Sequence, residues 1–315
     1  MPATTALSLQ HVKKSFGATA AVNDVSFDVR AGEMFGVIGP DGAGKTTSLR
    51  MICGLLKRDA GDIQLFGADP WRNRKVATSS IGYLSQRFSL YGDLTIDENI
   101  AFFARAHNVH HFTELRTRLL TLTGLEPFRH RLAERLSGGM KQKLALACTL
   151  VHQPRMLVLD EPTTGVDPVS RREFWKLVAE FLREGLTIVL ATPYLDEAER
   201  CARVVLLSDG KVLALDTPSA LQRSGTGQVL EVVVTPPRTA LLALRPAMGD
   251  DAVQLFGDRL HVHVQAASDE ARIRQVLAAA ACEVTNIRRI LPSLEDVFIE
   301  RLALARRADG VGATV

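Results

Sequence analysis

A glycine-rich loop at residues 39–47 constrains this 315-residue chain more than any other feature. The loop reads Gly-Pro-Asp-Gly-Ala-Gly-Lys-Thr-Thr and follows an apolar, strand-like segment, residues 34–38. A strand followed by such a loop lets successive backbone N–H groups surround a row of phosphates. Lys45 places a cation on the outer phosphates, and the hydroxyl of Thr46 can bind Mg²⁺. The pattern therefore predicts a nucleotide-binding α/β core.

Two adjacent carboxylates follow a second apolar segment. Residues 156–159 read Met-Leu-Val-Leu, and Asp160 and Glu161 come directly after them. At the end of a strand, Asp160 can hold the hydration shell of Mg²⁺, while Glu161 is offset enough to orient or deprotonate an attacking water. Kinases, GTPases, helicases and transporters all use a phosphate loop. The pair therefore indicates hydrolysis but does not decide what the nucleotide drives.

A second candidate anion site lies between these two motifs. Residues 136–143 read Leu-Ser-Gly-Gly-Met-Lys-Gln-Lys and lead into an apolar, helix-forming stretch. Ser137 offers a hydroxyl, and Gly138 and Gly139 leave N–H groups exposed at the positive end of a helix dipole. With this segment the sequence resembles the ATPase subunits of ABC transporters. The resemblance implies a head-to-tail dimer that clamps two ATP molecules, each held by the loop of one protomer and covered by this segment of the other.

The resemblance covers about residues 1–220 and implies roles for further positions. Phe16 matches the aromatic residue that stacks on adenine, and Gln86 matches the glutamine that contacts Mg²⁺ and the attacking water. Asp167 matches the loop that crosses the dimer interface, and residues 87–91 would face the membrane partner. The resemblance implies that Glu161, Gln86 and Lys45 are catalytic and that Thr46, Gln86 and Asp160 hold Mg²⁺. The implied nucleotide contacts are Phe16, Gly39, Pro40, Asp41, Gly42, Ala43, Gly44, Lys45, Thr46, Thr47, Ser137, Gly138, Gly139 and Asp167.

Two positions depart from the pattern of that family. The apolar segment 187–192 should end at a histidine that hydrogen-bonds the γ-phosphate, but Pro193 stands there. Proline has no side-chain donor and no N–H, which keeps open a nucleotide sensor that binds ATP but barely hydrolyses it. Asp41 replaces the commoner asparagine, and we expect it to point away from the phosphates and cap its own turn.

Charge, apolar runs and cysteines narrow the classes of partner and compartment. The net charge is +3 and basic residues are scattered among acidic ones, so the sequence does not indicate nucleic-acid binding. Residues 1–10 lack a signal-peptide pattern, and no apolar run approaches the roughly 20 residues that span a bilayer. Isolated cysteines predict buried thiols in a reducing compartment, not disulfides. They are Cys53, Cys148, Cys201 and Cys282.

Two histidine groups raise the question of a metal site. His107, His110 and His111 lie in a predicted helix end or loop, and His261 and His263 share one face of a predicted strand. Neither group has the acid or cysteine partners of a closed site, so packed or solvated histidines are expected. The Mg²⁺ that accompanies ATP is therefore the one metal ion that the sequence predicts.

Periodicity divides the chain into a main domain and a smaller one. Residues 6–30 alternate like two antiparallel strands, and residues 87–136 recur like helices. After residues 224–227 the order strand, helix, two strands, helix, strand suits a ferredoxin-like domain. The predicted fold is an α/β P-loop nucleotide-binding core with an antiparallel β flank and a helical subdomain, plus a small C-terminal α+β domain. The predicted limits are 1–223 for the ABC ATPase domain, about 87–150 for its helical subdomain, 224–306 for the accessory domain and 307–315 for a disordered tail.

The smaller domain ends on a short segment that carries a second resemblance. Residues 292–298 read Pro-Ser-Leu-Glu-Asp-Val-Phe, with Ser293 placed to cap a final helix and Asp296 in its first turn. Ser268 is expected to cap the preceding helix in the same way. This tail resembles the accessory domain of ATPases that serve bacterial drug, lipid and polysaccharide exporters.

The two resemblances predict an ATP-hydrolysing subunit of an exporter at the cytoplasmic face of the cell membrane. Expected partners are a second copy of the chain, separate transmembrane permease chains and, as a further candidate, a periplasmic adaptor. A soluble ABC protein acting on ribosomes or DNA is an alternative, but that class resembles tandem cassettes or cassettes split by long coiled coils. A GTPase is a weaker alternative, because the Asn-Lys-x-Asp run that binds guanine is absent.

Overall fold

The computed structural model describes the chain in five stretches. These are residues 4–86, 90–224, 228–249, 252–264 and 268–311, without the side chains of residues 268 and 306–311. The chain divides into two compact units, Met1–Leu215 and Asp216–Val315. Across the described stretches, no helix has both the length and the apolar character needed to cross a membrane.

The first unit contains a six-stranded sheet and a three-stranded sheet. The strands of this part of the chain are β1 (Thr5–Phe16), β2 (Thr19–Arg30), β3 (Met34–Ile38), β4 (Ala60–Leu65), β5 (Ile81–Leu84), β6 (Met156–Asp160), β7 (Thr187–Thr192), β8 (Arg203–Ser208) and β9 (Lys211–Asp216). Its helices are α1 (Lys45–Ile52), α2 (Arg74–Ser80), α3 (Ile96–Ala106), α4 (Thr113–Thr123), α5 (Gly138–Leu150), α6 (Pro168–Arg183) and α7 (Leu195–Ala198).

The strands at the centre of the large sheet are buried apolar runs. The sheet order is β5-β6-β7-β3-β8-β9, and β6, β7 and β3 are parallel neighbours. Every residue of these three strands is buried, as is usual for parallel strands covered on both faces. Their register places Ile38 beside Thr192 and Asp160 beside Ala191. The loops that follow the three strands therefore meet at one edge of the sheet.

The small sheet and the helical segment follow the sequence pattern. Strand β1 pairs antiparallel with both β2 and β4, which confirms the antiparallel flank predicted over residues 6–30. Helices α3, α4 and α5 fall within the predicted helical subdomain. Helix α3 begins at a capping box, in which Thr95 Oγ1 accepts from the N–H of Glu98 and the Glu98 carboxylate accepts from the N–H of Thr95. This reciprocal pair fixes where the helix starts.

The second unit is built on a four-stranded antiparallel sheet of order β11-β12-β10-β13. Leucine, valine and isoleucine side chains of β10, β12, α9 and α10 form its apolar core. The predicted cap by Ser268 lies outside the described side chains, and the backbone of the last helix continues past residue 307, where the tail was expected to begin. The elements are α8 (Pro218–Arg223), β10 (Gln228–Thr235), α9 (Pro237–Met248), β11 (Val253–Phe256), β12 (Arg259–Val264), α10 (Ser268–Ala279), β13 (Glu283–Ile290) and α11 (Leu294–Val311).

The start of α11 is held to β12 by a buried carboxylate. Ser293 donates to Asp296 Oδ2 from its N–H (2.8 Å) and its hydroxyl (2.7 Å), and its Oγ accepts from the N–H of Asp296. Nδ1 of His261 lies 3.1 Å from Asp296 Oδ2, and Nε2 of His263 lies 3.6 Å from Oδ1. Burial alone would raise the pKa of Asp296, but hydrogen bonds from His261 and Ser293, together with the nearby His263 ring, hold that pKa well below its usual range.

This cluster contains a contact that the sequence analysis did not find. The two strand histidines were expected to be packed or solvated, without the partners of a closed metal site, and Asp296, 35 residues beyond His261 in the chain, is the residue they pack against. The topology supplies the reason, because the residues after β13 return to cover the face of β12 that carries both histidines. The residues of segment 292–298 therefore both cap a helix and pair with the sheet below it.

Candidate nucleotide site

The glycine-rich loop joins β3 to α1 in the conformation that its glycines require. Gly42 and Gly44 have φ angles of 81° and 94°, in the left-handed region. A Cβ at Gly44 would overlap the carbonyl oxygen of Ala21, so only glycine fits there. The side chain of Lys45 is buried and folds back, and its Nζ donates to the carbonyl oxygens of Gly39 (2.9 Å) and Pro40 (3.0 Å). The loop therefore closes around an ammonium group.

Asp160 lies at the end of β6 and is bonded by hydroxyl groups. Thr46 Oγ1 donates to Asp160 Oδ1 (3.0 Å), and Tyr83 OH donates to Oδ2 (3.1 Å). Burial raises the pKa of Asp160 despite these two bonds. Burial, with the nearby Asp160 charge, also raises the pKa of Tyr83. A buried carboxylate with a raised pKa is only partly stabilised in its charged form, so it favours the binding of a cation.

Glu161 sits between the loop lysine and the predicted glutamine. Its Oε1 lies 3.4 Å from Lys45 Nζ, and its Oε2 accepts from Gln86 Nε2 at 3.1 Å. The backbone φ of Glu161 is 51°, a left-handed value that a glutamate rarely adopts. Its N–H donates to the carbonyl of Ala191 in β7 (2.8 Å), which fixes the turn after β6.

These residues line one open cleft of about 390 Å³. Phe16 lies at its edge with 53% of its surface exposed, which leaves a ring face for a planar base. The structure thus brings most of the residues predicted for a single protomer's site to one cleft, and Asp160 adjoins it through Thr46. The predicted residues that line the cleft are Phe16, Asp41, Gly42, Gly44, Lys45, Thr46, Thr47, Gln86 and Glu161.

The expectation for Asp41 is half wrong. Its side chain faces solvent, but among the described residues it has no hydrogen bond that would cap its own turn. The carboxylate instead lies 3.9 Å from Lys45 Nζ, because the ammonium is the nearest opposite charge.

Tyr83 was missed altogether. It stands three residues before Gln86, and nothing in its own segment distinguishes it from a packed strand tyrosine.

The second anion segment and Asp167 do not line the cleft of their own chain. Ser137 caps α5 by accepting from the N–H of Met140 at 3.3 Å. Gly139 packs against α6, where a Cβ would overlap Ser170, whereas a Cβ at Gly138 would meet open space. Asp167 caps α6 by accepting from the backbone N–H groups of its first turn. Ser137 and Gly138 are therefore presented outward at a helix start.

Pro193 follows the last residue of β7. The hydroxyl of Thr192 donates to Glu197 (2.6 Å) and accepts from the N–H of Tyr194 (3.1 Å). The proline itself contributes no donor to this turn. The loop after β7 is therefore held by Thr192, which bonds to Tyr194 on the other side of the proline and to the carboxylate of Glu197.

Known proteins resemble this chain in sequence and in fold. A family model described as ABC transporter matches residues 22–164. A probable multidrug ABC transporter ATP-binding protein of Escherichia coli is 43% identical over 290 residues, which covers 90% of this chain and 49% of that protein. The chain thus spans about half the length of that relative.

Two further proteins match over most of their own length. A Nod factor export ATP-binding protein of Rhizobium sp. is 37% identical over 298 residues, covering 93% of this chain and 96% of that protein. The dimeric structure of a bacterial ABC transporter cassette matches with a TM-score of 0.61 and 26% identity, over 67% of this chain and 98% of that one. The chain therefore belongs to the family of ABC transporter ATP-binding proteins.

Proposed function

We propose that the chain binds ATP in this cleft, hydrolyses it, and powers export through separate permease chains. The observation that carries the proposal is the contact between Lys45 and Glu161, 3.4 Å apart at the mouth of the phosphate loop. A cation for the outer phosphates and a base for the attacking water stand side by side, where a γ-phosphate would lie between them.

The residues around Asp160 fit Mg²⁺. The ion prefers oxygen ligands and keeps several waters. Thr46 and Asp160 present a hydroxyl and a carboxylate that already touch, and Gln86 adds an amide across the cleft. The raised pKa of Asp160 reflects a buried charge that two hydroxyls do not fully stabilise. When bound, the ion supplies charge neutralisation to the β- and γ-phosphates.

The side chains of the cleft have separate roles in hydrolysis. Lys45 exchanges the carbonyls of Gly39 and Pro40 for phosphate oxygens, which also removes it from Glu161. Glu161, still oriented by Gln86, takes a proton from the attacking water. The water oxygen bonds to the γ-phosphorus, the bond to the β–γ bridging oxygen breaks, and ADP and phosphate leave.

A second copy of the chain completes the site. Ser137 and Gly138 are exposed at the start of α5 and do not line their own cleft, so they are free to cover the γ-phosphate of a partner. Gly139 and Asp167 set the position of this surface within the chain. The dimeric ABC cassette that matches this fold supports a clamp of two copies.

An aromatic cluster near Gln86 is the proposed contact with the permease. Tyr91 is 45% exposed and its ring packs at a tilt against Phe102 with the centroids 4.5 Å apart, and Phe103 packs edge-on to Phe102. Residues 87–89, also predicted to face the permease, lie outside the described residues. The names of the relatives, multidrug transport and Nod factor export, support an exporter at the cytoplasmic face of the membrane. A periplasmic adaptor stays a prediction.

We also propose that the accessory domain, residues 224–306, is ferredoxin-like. The order strand, helix, two strands, helix, strand and the sheet order β11-β12-β10-β13 together support it. Both helices pack on one face of the sheet, and α11 is attached to the other through Asp296.

Turnover of the native protein against Glu161→Gln tests the hydrolytic function. The carboxamide keeps the shape of the side chain but removes its basicity, so kcat should fall by roughly 10²–10⁴ while ATP binding survives. Lys45→Ala is the complementary variant, because it removes a phosphate-binding cation and not the base. It should weaken binding of a fluorescent ATP analogue by about tenfold or more. Equal, near-zero turnover in native protein and Glu161→Gln would favour the sensor that Pro193 allows.

A further inference from the structure

Glu197 is a fully buried carboxylate that the hydrolytic scheme does not use. It lies in the short helix α7 with no exposed surface. Its Oε2 accepts from Thr192 Oγ1 at 2.6 Å, and its Oε1 accepts from the hydroxyl of Thr163 and from Arg171 Nε at 3.1 Å. Among the described residues, the hydrogen-bond donors to its carboxylate are side chains of other elements and loops. Such convergence on one buried charge needs an explanation, because an unpaired carboxylate would be costly there.

Two of the three donor residues, Thr163 and Thr192, lie in segments next to the nucleotide site, and the third, Arg171, lies on the helix that follows. Thr192 is the last residue of β7, directly before Pro193. Thr163 is two residues beyond Glu161 and is itself buried. Arg171 lies on α6, the helix that Asp167 caps. One carboxylate therefore ties together the loops after β6 and β7 and the helix that follows the first of them.

The backbone at Glu161 requires such support. A glutamate at a φ of 51° is in a conformation that persists only where the surroundings over-determine it. The turn has a backbone bond from Glu161 to Ala191 (2.8 Å) and a longer one from Thr164 N–H to the Glu161 carbonyl (3.3 Å). The hydroxyl of Thr163 adds the anchor to Glu197 on the far side of that turn.

The same arginine provides an internal comparison. Arg171 Nη2 bonds the exposed carboxylate of Asp196 at 2.7 Å and the buried carboxylate of Glu197 at 2.9 Å. The side chain of Asp196 is 65% exposed, whereas that of Glu197 is fully buried. Asp196 has no bond to Thr163 or Thr192 among the described residues. It is therefore a matched control that shares the arginine but not the two loops.

We infer that Glu197 is a positioning residue for ATP hydrolysis, holding the turn of Glu161 and the loop of Pro193 in one fixed arrangement. The inference rests on the proposed role of Glu161 as the base. Because Pro193 offers the γ-phosphate no donor, the loop after β7 gains its order from Glu197 and not from the nucleotide. The protein therefore positions the Glu161 carboxylate before ATP binds. A displacement of this base by about 1 Å would lower the rate of hydrolysis substantially.

Glu197→Gln is the first test. The amide keeps the volume but replaces one acceptor oxygen by a donor, so one of the hydroxyl or guanidinium bonds is lost. We expect kcat to fall by about tenfold to a hundredfold while KM for ATP changes by less than about twofold. Asp196→Asn should leave both constants within about twofold of native. Thermal melting of each variant without nucleotide establishes that the chain is folded.

Thr163→Val and Thr163→Ser give a second test that does not disturb the buried charge. Valine matches threonine in shape but lacks the hydroxyl, whereas serine keeps it. We expect Thr163→Val to reproduce the kcat loss of Glu197→Gln, and Thr163→Ser to restore most of it. A purely structural role would lower stability without this rescue and without separating kcat from KM.

The outcomes separate this inference from the proposed function. If Glu161→Gln lowers turnover but Glu197→Gln and Thr163→Val do not, Glu197 has no positioning role and the hydrolytic function stands. An equal loss in Asp196→Asn would also overturn the inference, since the effect would belong to Arg171 alone. If native protein and Glu161→Gln are equally inactive, the proposed function itself fails.

Discussion

Asp160 and Asp296 are both buried aspartates, one in each unit of the chain, and their electrostatic surroundings are opposite. Asp160 accepts from the hydroxyls of Thr46 and Tyr83, and its pKa is raised because burial outweighs those bonds. Asp296 faces two imidazoles and the Ser293 cap, and its pKa is lowered despite burial. Burial is nearly equal at the two sites, with 1% and 0% exposed. The partners therefore decide the difference.

The comparison supports the proposed functional role of Asp160 and a structural role for Asp296. Asp296 has its balancing groups within its own unit, so the cluster is complete when the chain folds. Asp160 is stabilised only in part by its own chain, which is the state expected of a group whose balancing charge comes from outside the protein. The raised pKa of this buried acid next to the phosphate loop, together with its contact to Thr46, supports the proposed Mg²⁺ site.

The largest expected effect comes from Asp160→Asn. The amide keeps the hydrogen-bonding shape but removes the charge that would balance Mg²⁺, so ATP turnover should fall by at least about a hundredfold. Without nucleotide the variant should melt at the same temperature as native protein or higher, because a poorly stabilised buried charge has been removed. Steady-state turnover and thermal denaturation of the full chain measure the two effects. A clear loss of stability without nucleotide would make Asp160 structural and break the comparison.

Asp296→Asn should give the reverse pattern in the other unit. It removes the charge that the His261 and His263 rings face, so the chain should lose about 3 kcal/mol of unfolding free energy. Turnover of the protein that remains folded should be unchanged within about twofold, since Asp296 does not belong to the nucleotide cleft. Denaturant unfolding and an ATPase assay under native conditions measure the two outcomes.

The pH dependence of the two variants sharpens this contrast. A lowered pKa stabilises the folded state above the unfolded pKa of about 3.9, and this stabilisation is lost as pH falls below it. The deficit of Asp296→Asn should therefore be largest near neutral pH and shrink in acid. For Asp160 the pKa is raised, so the gain of Asp160→Asn should also be largest near neutral pH but opposite in sign. Two differences of the same sign would contradict the assigned pKa directions.

The smallest effect is expected from Tyr83→Phe. The change removes one hydrogen bond to Asp160, worth about 1 kcal/mol, and so should lower turnover by about fivefold. It should also raise the Mg²⁺ concentration needed for half-maximal turnover, because the carboxylate loses one of the two hydroxyls that orient it. A titration of turnover against Mg²⁺ measures this. An unchanged Mg²⁺ requirement would mean that Tyr83 only packs.

The sequence predicted the nucleotide core well because its motifs are local. A strand followed by a glycine loop, or by two acids, has a nearly fixed geometry, and parallel strands bring such ends to one edge. Family membership and the nucleotide-binding core are accordingly confirmed. The roles of individual site residues stay predictions.

Three of the missed features are contacts between residues far apart in the chain. Tyr83 meets Asp160 across 77 residues, Thr163 meets Glu197 across 34, and His261 meets Asp296 across 35. The two members of each pair lie too far apart for a motif or a periodic pattern to contain both, so periodicity and spacing cannot predict the contact. The expectation for Asp41 concerned a local contact: its exposed carboxylate lies 3.9 Å from Lys45 Nζ and, among the described residues, accepts no hydrogen bond from its own turn.

The two adjacent glycines at the start of α5 differ in what limits sequence variation. Any side chain at Gly139 would collide with Ser170 of the same chain, so its tolerance is decided when a single polypeptide folds. At Gly138 a side chain would meet open space, so an isolated chain would accept it and only an assembled pair could reject it. A mutational scan could be scored first for soluble yield and then for assembly. Substitutions at Gly139 should then lower the yield, whereas substitutions at Gly138 should lower only assembly. Two adjacent glycines in one turn of helix would thus be limited by different requirements, one by folding and the other by quaternary structure.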